Sequence, residues 1–338
     1  MKKVLVTGIS GYVGLHAAAE LLKKGYKVRG SVRNLSKREQ ITRSIRKEVD
    51  PAGNLEFCQL DLLNDEGWKE AMQGCDYVLH IASPYVASEP KNENELIKPA
   101  VDGTQRALRF AKNAGVKRVV LTSSMVAMFG DADKSIDIKQ DTWTNPNAKN
   151  MSAYVKSKTI AEKSAWDFIE TQTGNNKLEL VAINPGPIWG PTLSDKLSGE
   201  SMNIISDMIS GKMPMLAKVG INMSDVRDIA KIHVKALEND KANGQRFVVA
   251  TKNPHTFKEM AQILKANGNN KVSTLEGPSF LLKLMSNFNS DLKGMKPFIG
   301  NTYNADISKT MEVFDWNPIP FETSILDTAK SVKTIMNK

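Results

Sequence analysis

The chain has 338 residues, more than one ordinary domain needs, so we expect a large domain with a smaller lobe. Hydrophobic residues make up 41% and charged residues 25%, which is typical of globular proteins and excludes a disordered or fibrous chain. The formal net charge is +9, and the densest basic cluster covers residues 33–47. Within it Ile41 and Ile45 lie four residues apart, which predicts a short helix with most of the charges on its exposed face. Solubility and attraction of an anionic small molecule explain this charge, and we expect no nucleic-acid partner.

Signals for targeting, membrane insertion and metal binding are missing from the sequence. The start, MKKVLVTGIS, has too short an apolar core for a signal peptide. No apolar run approaches the roughly 18 residues that span a bilayer, so we expect a cytoplasmic protein without a membrane partner. Cys58 and Cys75 lie in segments predicted to be buried, which favours inert core thiols. The four histidines show no ligand spacing, and no metal site is expected.

Short β-branched runs alternate with helical patterns over the first 185 residues. The predicted strands cover residues 3–8, 26–33, 55–61, 76–82, 116–124 and 178–186. The predicted helices between them cover residues 11–25, 37–47, 65–74, 93–115 and 152–173. Strict alternation implies right-handed crossovers. The sequence therefore predicts the α/β class, with a Rossmann-type doubly wound parallel sheet covered by helices on both faces.

The alternation breaks down after Gly186. Residues 187–203 are rich in Pro, Gly and Ser, and later segments mix helices with short strands such as residues 245–250. We expect residues 1–185 to form a dinucleotide-binding domain with returning segments near 225–250. Residues 186–338 are expected to form mainly a smaller C-terminal substrate-binding lobe over the carboxyl edge of the sheet, where ligands of doubly wound folds bind.

The junction of the first strand and first helix carries three glycines at Gly8, Gly11 and Gly14. Glycines there let a pyrophosphate approach the backbone N–H groups and the positive end of the helix, so the loop predicts dinucleotide binding. The next strand ends at Arg33, with Arg38 close behind, where a cofactor with a free 2′-hydroxyl would meet an acidic residue. The sequence therefore predicts NADPH/NADP⁺ as the cofactor.

Tyr154 and Lys158 lie one helical turn apart, a spacing equally compatible with an ordinary solvated helix face. Other motifs occur with them in a characteristic order: TGISGYVG, Asp61 with Leu62, HIASP, TSS, YVKSK, NPG and residues 225–237. Together they resemble an extended short-chain dehydrogenase/reductase over residues 1–237. The resemblance is strongest to the dihydroflavonol reductase branch, which includes NADPH-dependent aldehyde, ketone and methylglyoxal reductases and cinnamoyl-CoA reductases.

This resemblance implies a catalytic role for three residues. Tyr154 would donate a proton to the carbonyl oxygen of the substrate while the nicotinamide delivers a hydride. Lys158 would lower the pKa of the Tyr154 phenol by its charge and hold the nicotinamide ribose. Ser124 would orient the carbonyl oxygen, with the neighbouring Ser123 as the alternative.

The resemblance also implies further contacts. Those to the cofactor involve Gly8, Ser10, Gly11, Tyr12, Val13, Gly14, Arg33, Arg38, Asp61, Leu62, Ala82, Ser83, Pro185, Gly186 and Ile188. Candidate substrate contacts, which could instead pack between the lobes, are Tyr85, Met125, Phe129, Pro187 and Trp189. Plant dihydroflavonol reductases carry an asparagine where Phe129 stands, which favours a less polar aldehyde or ketone over a flavonoid.

Two other functions remain open at this point. One is an NAD-dependent nucleotide-sugar epimerase, against which Arg33 argues, and the other is a dinucleotide-sensing protein without turnover, against which Tyr154 and Lys158 argue. Dehydratase chemistry needs an acidic pair where Met125 and Val126 stand, and neither side chain titrates. We expect a monomer or a homodimer that acts on a small-molecule carbonyl substrate.

Overall fold

A seven-stranded sheet, parallel throughout, lies at the centre of the computed structural model, which describes residues 1–84, 90–131, 134–149, 151–197, 199–286 and 296–337. Its strands are β1 (Lys3–Thr7), β2 (Lys27–Val32), β3 (Leu55–Gln59), β4 (Tyr77–His80), β5 (Arg118–Thr122), β7 (Glu179–Pro185) and β11 (Gln245–Val249). The spatial order is β3-β2-β1-β4-β5-β7-β11. Strand order therefore reverses direction at β1, which places a ligand crevice at its carboxyl end.

Helices cover both faces of this sheet. In the described ranges of both lobes, the helices are α1 (Tyr12–Lys23), α2 (Arg38–Arg46), α3 (Trp68–Met72), α4 (Asn94–Asn113), α5 (Ala153–Glu170), α6 (Glu200–Ser210), α7 (Val226–Ala236), α8 (Phe257–Ala266), α9 (Ser279–Met285), α10 (Ser308–Phe314) and α11 (Phe321–Met336). Side chains alternate between two cores, because Val4 and Val6 pack with α1 and α7 whereas Leu5 packs with α4 and α5. The predicted α/β doubly wound fold is confirmed.

The smaller lobe contains two further sheets. One has four short strands in the order β12-β9-β13-β6, namely β6 (Ile136–Ile138), β9 (Gly220–Ile221), β12 (His255–Thr256) and β13 (Thr302–Ala305). The other pairs β8 (Ile188–Trp189) with β10 (Ser224–Asp225). Strand β6 precedes residue 186 yet pairs with β13, so the chain enters the lobe earlier than the sequence predicted. None of the helices in the described ranges has the length and apolar character needed to cross a membrane.

Candidate active site

The loop between β1 and α1 depends on its glycines. Gly8 has a φ of +69°, and its carbonyl accepts a hydrogen bond of 3.0 Å from the Gly11 N–H. A Cβ on Gly14 would lie 2.2 Å from the Gly8 oxygen, so any side chain there would force the loop open. Ser10 and Gly11 are exposed at the start of α1, whereas Val13 is buried. This arrangement fits a dinucleotide pyrophosphate.

Tyr12 anchors the first helix to the smaller lobe. Its phenol donates a hydrogen bond of 2.7 Å to the carbonyl oxygen of Gly190, just beyond β8. One turn further along, the His16 ring contacts the Pro191 carbonyl oxygen at 2.9 Å. The glycine loop is therefore fixed against the segment that follows β7.

Thr7 links the glycine loop to the end of β4. Its hydroxyl oxygen accepts hydrogen bonds of 3.1 Å from the N–H groups of Ile81 and Ala82 and lies 3.0 Å from His80 Nδ1. Burial, with a smaller effect of the Lys158 charge, lowers the pKa of His80 to about 3, so the ring is neutral near pH 7. Thr7 therefore donates to Nδ1, and the His80 proton resides on Nε2. Ser83, two residues beyond Ile81, is partly buried.

The ends of β2 and β3 carry the residues predicted to meet the adenosine half of the cofactor. Arg33 and Arg38 are both exposed, and within the described ranges neither guanidinium pairs with a carboxylate. Asp61 Oδ1 accepts a hydrogen bond of 2.9 Å from the Leu63 N–H, while Leu62 packs beside Gly103 of α4. Two cations therefore stand at the exposed end of β2, available to an anionic ligand.

The three predicted catalytic residues come together at the carboxyl end of β5. Helix α5 begins where the Ser152 hydroxyl accepts a hydrogen bond of 3.3 Å from the Val155 N–H, and this cap orients the first turn that carries Tyr154. The Ser124 side chain is hydrogen-bonded to Tyr154. One turn further along, Lys158 Nζ lies 3.5 Å from the Thr122 carbonyl oxygen.

The two adjacent serines point to different partners. The Ser123 hydroxyl donates a hydrogen bond of 2.5 Å to Glu162 Oε2 inside the protein, and the Ser123 N–H bonds Ile183 of β7. Ser124 is instead the serine beside Tyr154. The geometry therefore favours Ser124 over Ser123 as the residue that can reach a substrate.

Burial governs the titration of the Tyr154–Lys158 pair. It lowers the pKa of Lys158 to about 8, against a smaller opposing effect of the Glu162 carboxylate. It raises the pKa of the Tyr154 phenol, although the hydrogen bond from Ser124 acts in the opposite direction. The sequence predicted a pKa brought down by the Lys158 charge, whereas in the structure the net shift is upward, because desolvation of the phenolate outweighs the other contributions.

Most of the predicted substrate wall is buried. Met125, Phe129 and Trp189 are at most 2% exposed. Phe129 stacks on Tyr303 with ring centroids 4.3 Å apart, and the Trp189 indole donates to the Met223 sulfur at 3.1 Å. Their side chains pack into the core, which favours the alternative of packing between the lobes over a contact with substrate for these three residues.

The remaining predicted wall residues differ from that group. Pro187 is partly exposed, and Tyr85 lies outside the described residues. The backbone around Pro187 is fixed, since the Gly186 N–H donates 2.8 Å to Ser224 Oγ and Ile188 pairs with Ser224. Pro185, just before it, is buried at the end of β7. This segment leads from the sheet into the lobe.

Three residues close to the predicted catalytic residues were not predicted from the sequence. Glu162, Asn184 and Arg246 are each at most 7% exposed and are hydrogen-bonded to one another through Glu162. The signal for Glu162 was its spacing, because it lies four residues after Lys158 and so on the same helix face. Asn184 was part of the NPG motif, whereas nothing local singled out Arg246.

Comparisons with known proteins agree with this architecture. The family model described as NAD dependent epimerase/dehydratase family matches residues 4–250. The NADPH-dependent methylglyoxal reductase GRE2 of Saccharomyces cerevisiae is 33% identical over 73% of this chain and 77% of its own length. Cinnamoyl-CoA reductase 1 of Petunia hybrida is 32% identical over 72% of this chain and 71% of its own length.

A solved structure extends the similarity to the whole fold. The yeast methylglyoxal/isovaleraldehyde reductase Gre2 complexed with NADPH has a TM-score of 0.80 to this chain, at 26% sequence identity, with 99% of each chain covered. Both lobes are therefore shared with that enzyme. The chain belongs to the NAD dependent epimerase/dehydratase family, within the dihydroflavonol reductase-like branch of the extended short-chain dehydrogenases/reductases.

Proposed function

We propose that the protein is an oxidoreductase that reduces an aldehyde or ketone to an alcohol with NADPH as the hydride donor. The observation that carries this proposal is the hydrogen bond between Ser124 and Tyr154, with Lys158 one helical turn further along. The relatives named for methylglyoxal and cinnamoyl-CoA reduction support the same chemistry. Residues 1–185 would then hold most of the cofactor, and the lobe built mainly from residues 186–338 would hold the substrate.

The residues of the site suit a reduction near neutral pH. The raised pKa of Tyr154 keeps the phenol protonated, so its O–H can donate to the carbonyl oxygen of the substrate. Ser124 would donate a second hydrogen bond to that oxygen and fix its direction. Lys158, whose pKa is about 8, remains an ammonium at pH 7 and stabilises the phenolate left on Tyr154. A proton from solvent then restores the phenol.

The cofactor-binding proposal follows from the backbone and from charge. NADPH would supply the hydride that reaches the carbonyl carbon. The loop at Gly8, Gly11 and Gly14 would bind its pyrophosphate, and the loop can fold this tightly only because a side chain at Gly14 is missing, since a Cβ there would lie 2.2 Å from the Gly8 carbonyl oxygen. Arg33 and Arg38 would bind its 2′-phosphate by charge-assisted hydrogen bonds.

The test measures oxidation of NADPH, and separately of NADH, in the presence of methylglyoxal, aromatic aldehydes, β-keto esters and one dihydroflavonol. We expect turnover that prefers NADPH and disappears in Tyr154→Phe. Tyr26→Phe is the matched control, because Tyr26 bonds Glu238 on the exposed surface away from the site. Dinucleotide binding without oxidation by any substrate would refute the reductase and favour the epimerase or the sensor.

A further inference from the structure

A buried carboxylate lies directly behind the proposed catalytic residues. The Glu162 side chain is 0% exposed and lies one helical turn beyond Lys158. Its oxygens accept hydrogen bonds from Ser123 Oγ at 2.5 Å, Asn184 Nδ2 at 2.8 Å and Arg246 Nε at 2.6 Å. Burying a carboxylate without partners would be costly, so each of these donors stabilises it.

Asn184 connects this carboxylate to the catalytic serine. Its Nδ2 group donates both to Glu162 Oε2 and, at 3.1 Å, to the backbone carbonyl oxygen of Ser124. Because both partners are acceptors, the amide has only one orientation that satisfies them. Ser123, the residue before Ser124, is bonded to the same carboxylate oxygen. Glu162 therefore holds the backbone of Ser124 and the side chain of its neighbour.

Arg246 supplies the opposite charge from another part of the chain. It lies on β11, and its Nη1 donates to the carbonyl oxygens of Gln140 at 3.1 Å and Thr142 at 2.8 Å. Its guanidinium lies 3.6 Å from the centre of the Trp143 ring. These contacts leave the guanidinium little freedom to move, so the carboxylate it faces is held as well.

We propose that Glu162 is a positioning residue, which acts through Asn184 and Ser123 to fix Ser124 opposite Tyr154. This inference rests on the proposed reductase function. A purely structural ion pair would need neither the bond to Ser123 nor the link through Asn184 to Ser124. Two of the four side chains bonded to Glu162 lead to the Ser123–Ser124 segment. The other two are Arg246 and Trp166, whose indole Nε1 donates to Glu162 Oε1 at 3.3 Å. The contacts are those expected of a support for the reacting group.

The charge of Glu162 also acts on Lys158. The charged or titratable groups that face Lys158 in the described part of the chain are Glu162 and Tyr154 on its own helix and His80 on β4. Among these, Glu162 favours the ammonium, which burial disfavours. Removing its charge should therefore move the alkaline loss of activity to lower pH.

The experiment compares Glu162→Gln with Glu179→Gln. The control removes the carboxylate that pairs with another buried arginine, Arg118, at the opposite end of the sheet. We expect kcat of Glu162→Gln to fall about 100-fold, as misplacement of a reacting group does, with its alkaline limb shifted to lower pH. The NADPH dissociation constant, measured by fluorescence titration, should be unchanged. The control should keep its kcat and pH profile even if its melting temperature falls.

A second variant covers the case in which Glu162→Gln does not fold. Asn184→Ala leaves the ion pair intact but disconnects the Ser124 carbonyl, and we expect about a 10-fold loss of kcat. The proposal would be overturned if kcat of Asn184→Ala were unchanged, or if Glu162→Gln and the control lost kcat equally. In either case an active wild-type protein would still support the reductase. A wild-type protein without turnover would refute the reductase function and this inference with it.

Discussion

Two buried arginines lie at opposite ends of the same sheet. Arg118, at the amino end of β5, bonds Glu179 and the carbonyl oxygens of Ala236 and Leu237 at the end of α7. Arg246, on β11, bonds Glu162 behind the proposed catalytic residues. The first pair closes the carboxyl end of a helix, where a cation is favoured. In the second pair, Glu162 is also hydrogen-bonded to the Ser123 side chain and, through Asn184, to the Ser124 backbone. The same kind of ion pair therefore supports a helix end at one edge of the sheet and the proposed site at the other.

The direction of the strands explains the difference. All seven strands of the main sheet are parallel, so their carboxyl ends share one edge, and ligands of such sheets bind there. Substitutions at the amino edge should therefore change mainly stability, and substitutions at the carboxyl edge mainly chemistry. The following predictions test that division.

Lys158→Met should have the largest effect, confined to catalysis. We expect about a 1,000-fold loss of kcat, roughly 4 kcal/mol in activation free energy, because no ammonium remains to stabilise the Tyr154 phenolate. The free energy of unfolding should not decrease, since the side chain is only 9% exposed and methionine removes a poorly solvated charge. Steady-state kinetics and urea unfolding measure the two effects. A clear loss of stability would contradict the division.

Arg118→Met should show the opposite pattern. Its guanidinium is 0% exposed, and removing it leaves Glu179 and the last carbonyls of α7 without their donor. We expect the free energy of unfolding to fall by about 3 kcal/mol. The folded variant should keep the wild-type kcat below its melting temperature. A 10-fold loss of kcat at that temperature would show that the amino edge also affects chemistry.

Arg33→Ala should change cofactor selection alone. We expect the KM for NADPH to rise about 10-fold, as for loss of one charge-assisted hydrogen bond, with the KM for NADH unchanged. The matched control is Lys37→Ala, because Lys37 is another exposed cation in the segment between β2 and α2. Equal effects on both cofactors would argue against a 2′-phosphate contact at Arg33.

The smallest effect concerns pH. Because the pKa of Lys158 is about 8 in the folded protein and 10.5 is its ordinary value, the unfolded chain binds more protons between these values. Stability contributed by this residue should therefore rise with pH from about 8 to 10.5, while kcat/KM falls above about 8. Melting temperatures and rates across this range measure both trends. Lys158→Met should lack this contribution to stability.

The sequence predicted those features whose signals are local. The alternation of strands and helices, the spacing of Gly8, Gly11 and Gly14, and the turn between Tyr154 and Lys158 each lie within a few consecutive residues. Such patterns constrain the backbone directly, and the structure brings Tyr154 and Lys158 to the end of the sheet with Ser124.

Contacts between distant segments could not be predicted in this way. Strand β6 pairs with β13 through Ile136 and Tyr303, and Glu162 pairs with Arg246 84 positions along the chain. No local pattern distinguishes Arg246 from the other basic residues, because its partner is set by the fold.

The direction in which a side chain points, and how far it is buried, could not be predicted from the sequence either. Because Met125, Phe129 and Trp189 each follow a strand, the sequence placed them near the carboxyl edge. It did not show on which side of the backbone their side chains would pack. The pKa of Tyr154 depends on how completely the phenol loses water, which spacing from Lys158 does not reveal. Both quantities follow from three-dimensional packing alone.

The place of Arg246 in the chain has a consequence for biosynthesis. Ser124, Tyr154, Lys158 and Glu162 all leave the ribosome before it, and β11 is the last strand of the main sheet to be made. Until that strand docks, a buried Glu162 lacks its counter-charge, and an uncompensated buried charge costs several kcal/mol. The nascent protein therefore contains all the proposed reacting groups before β11 can supply the counter-charge of Glu162.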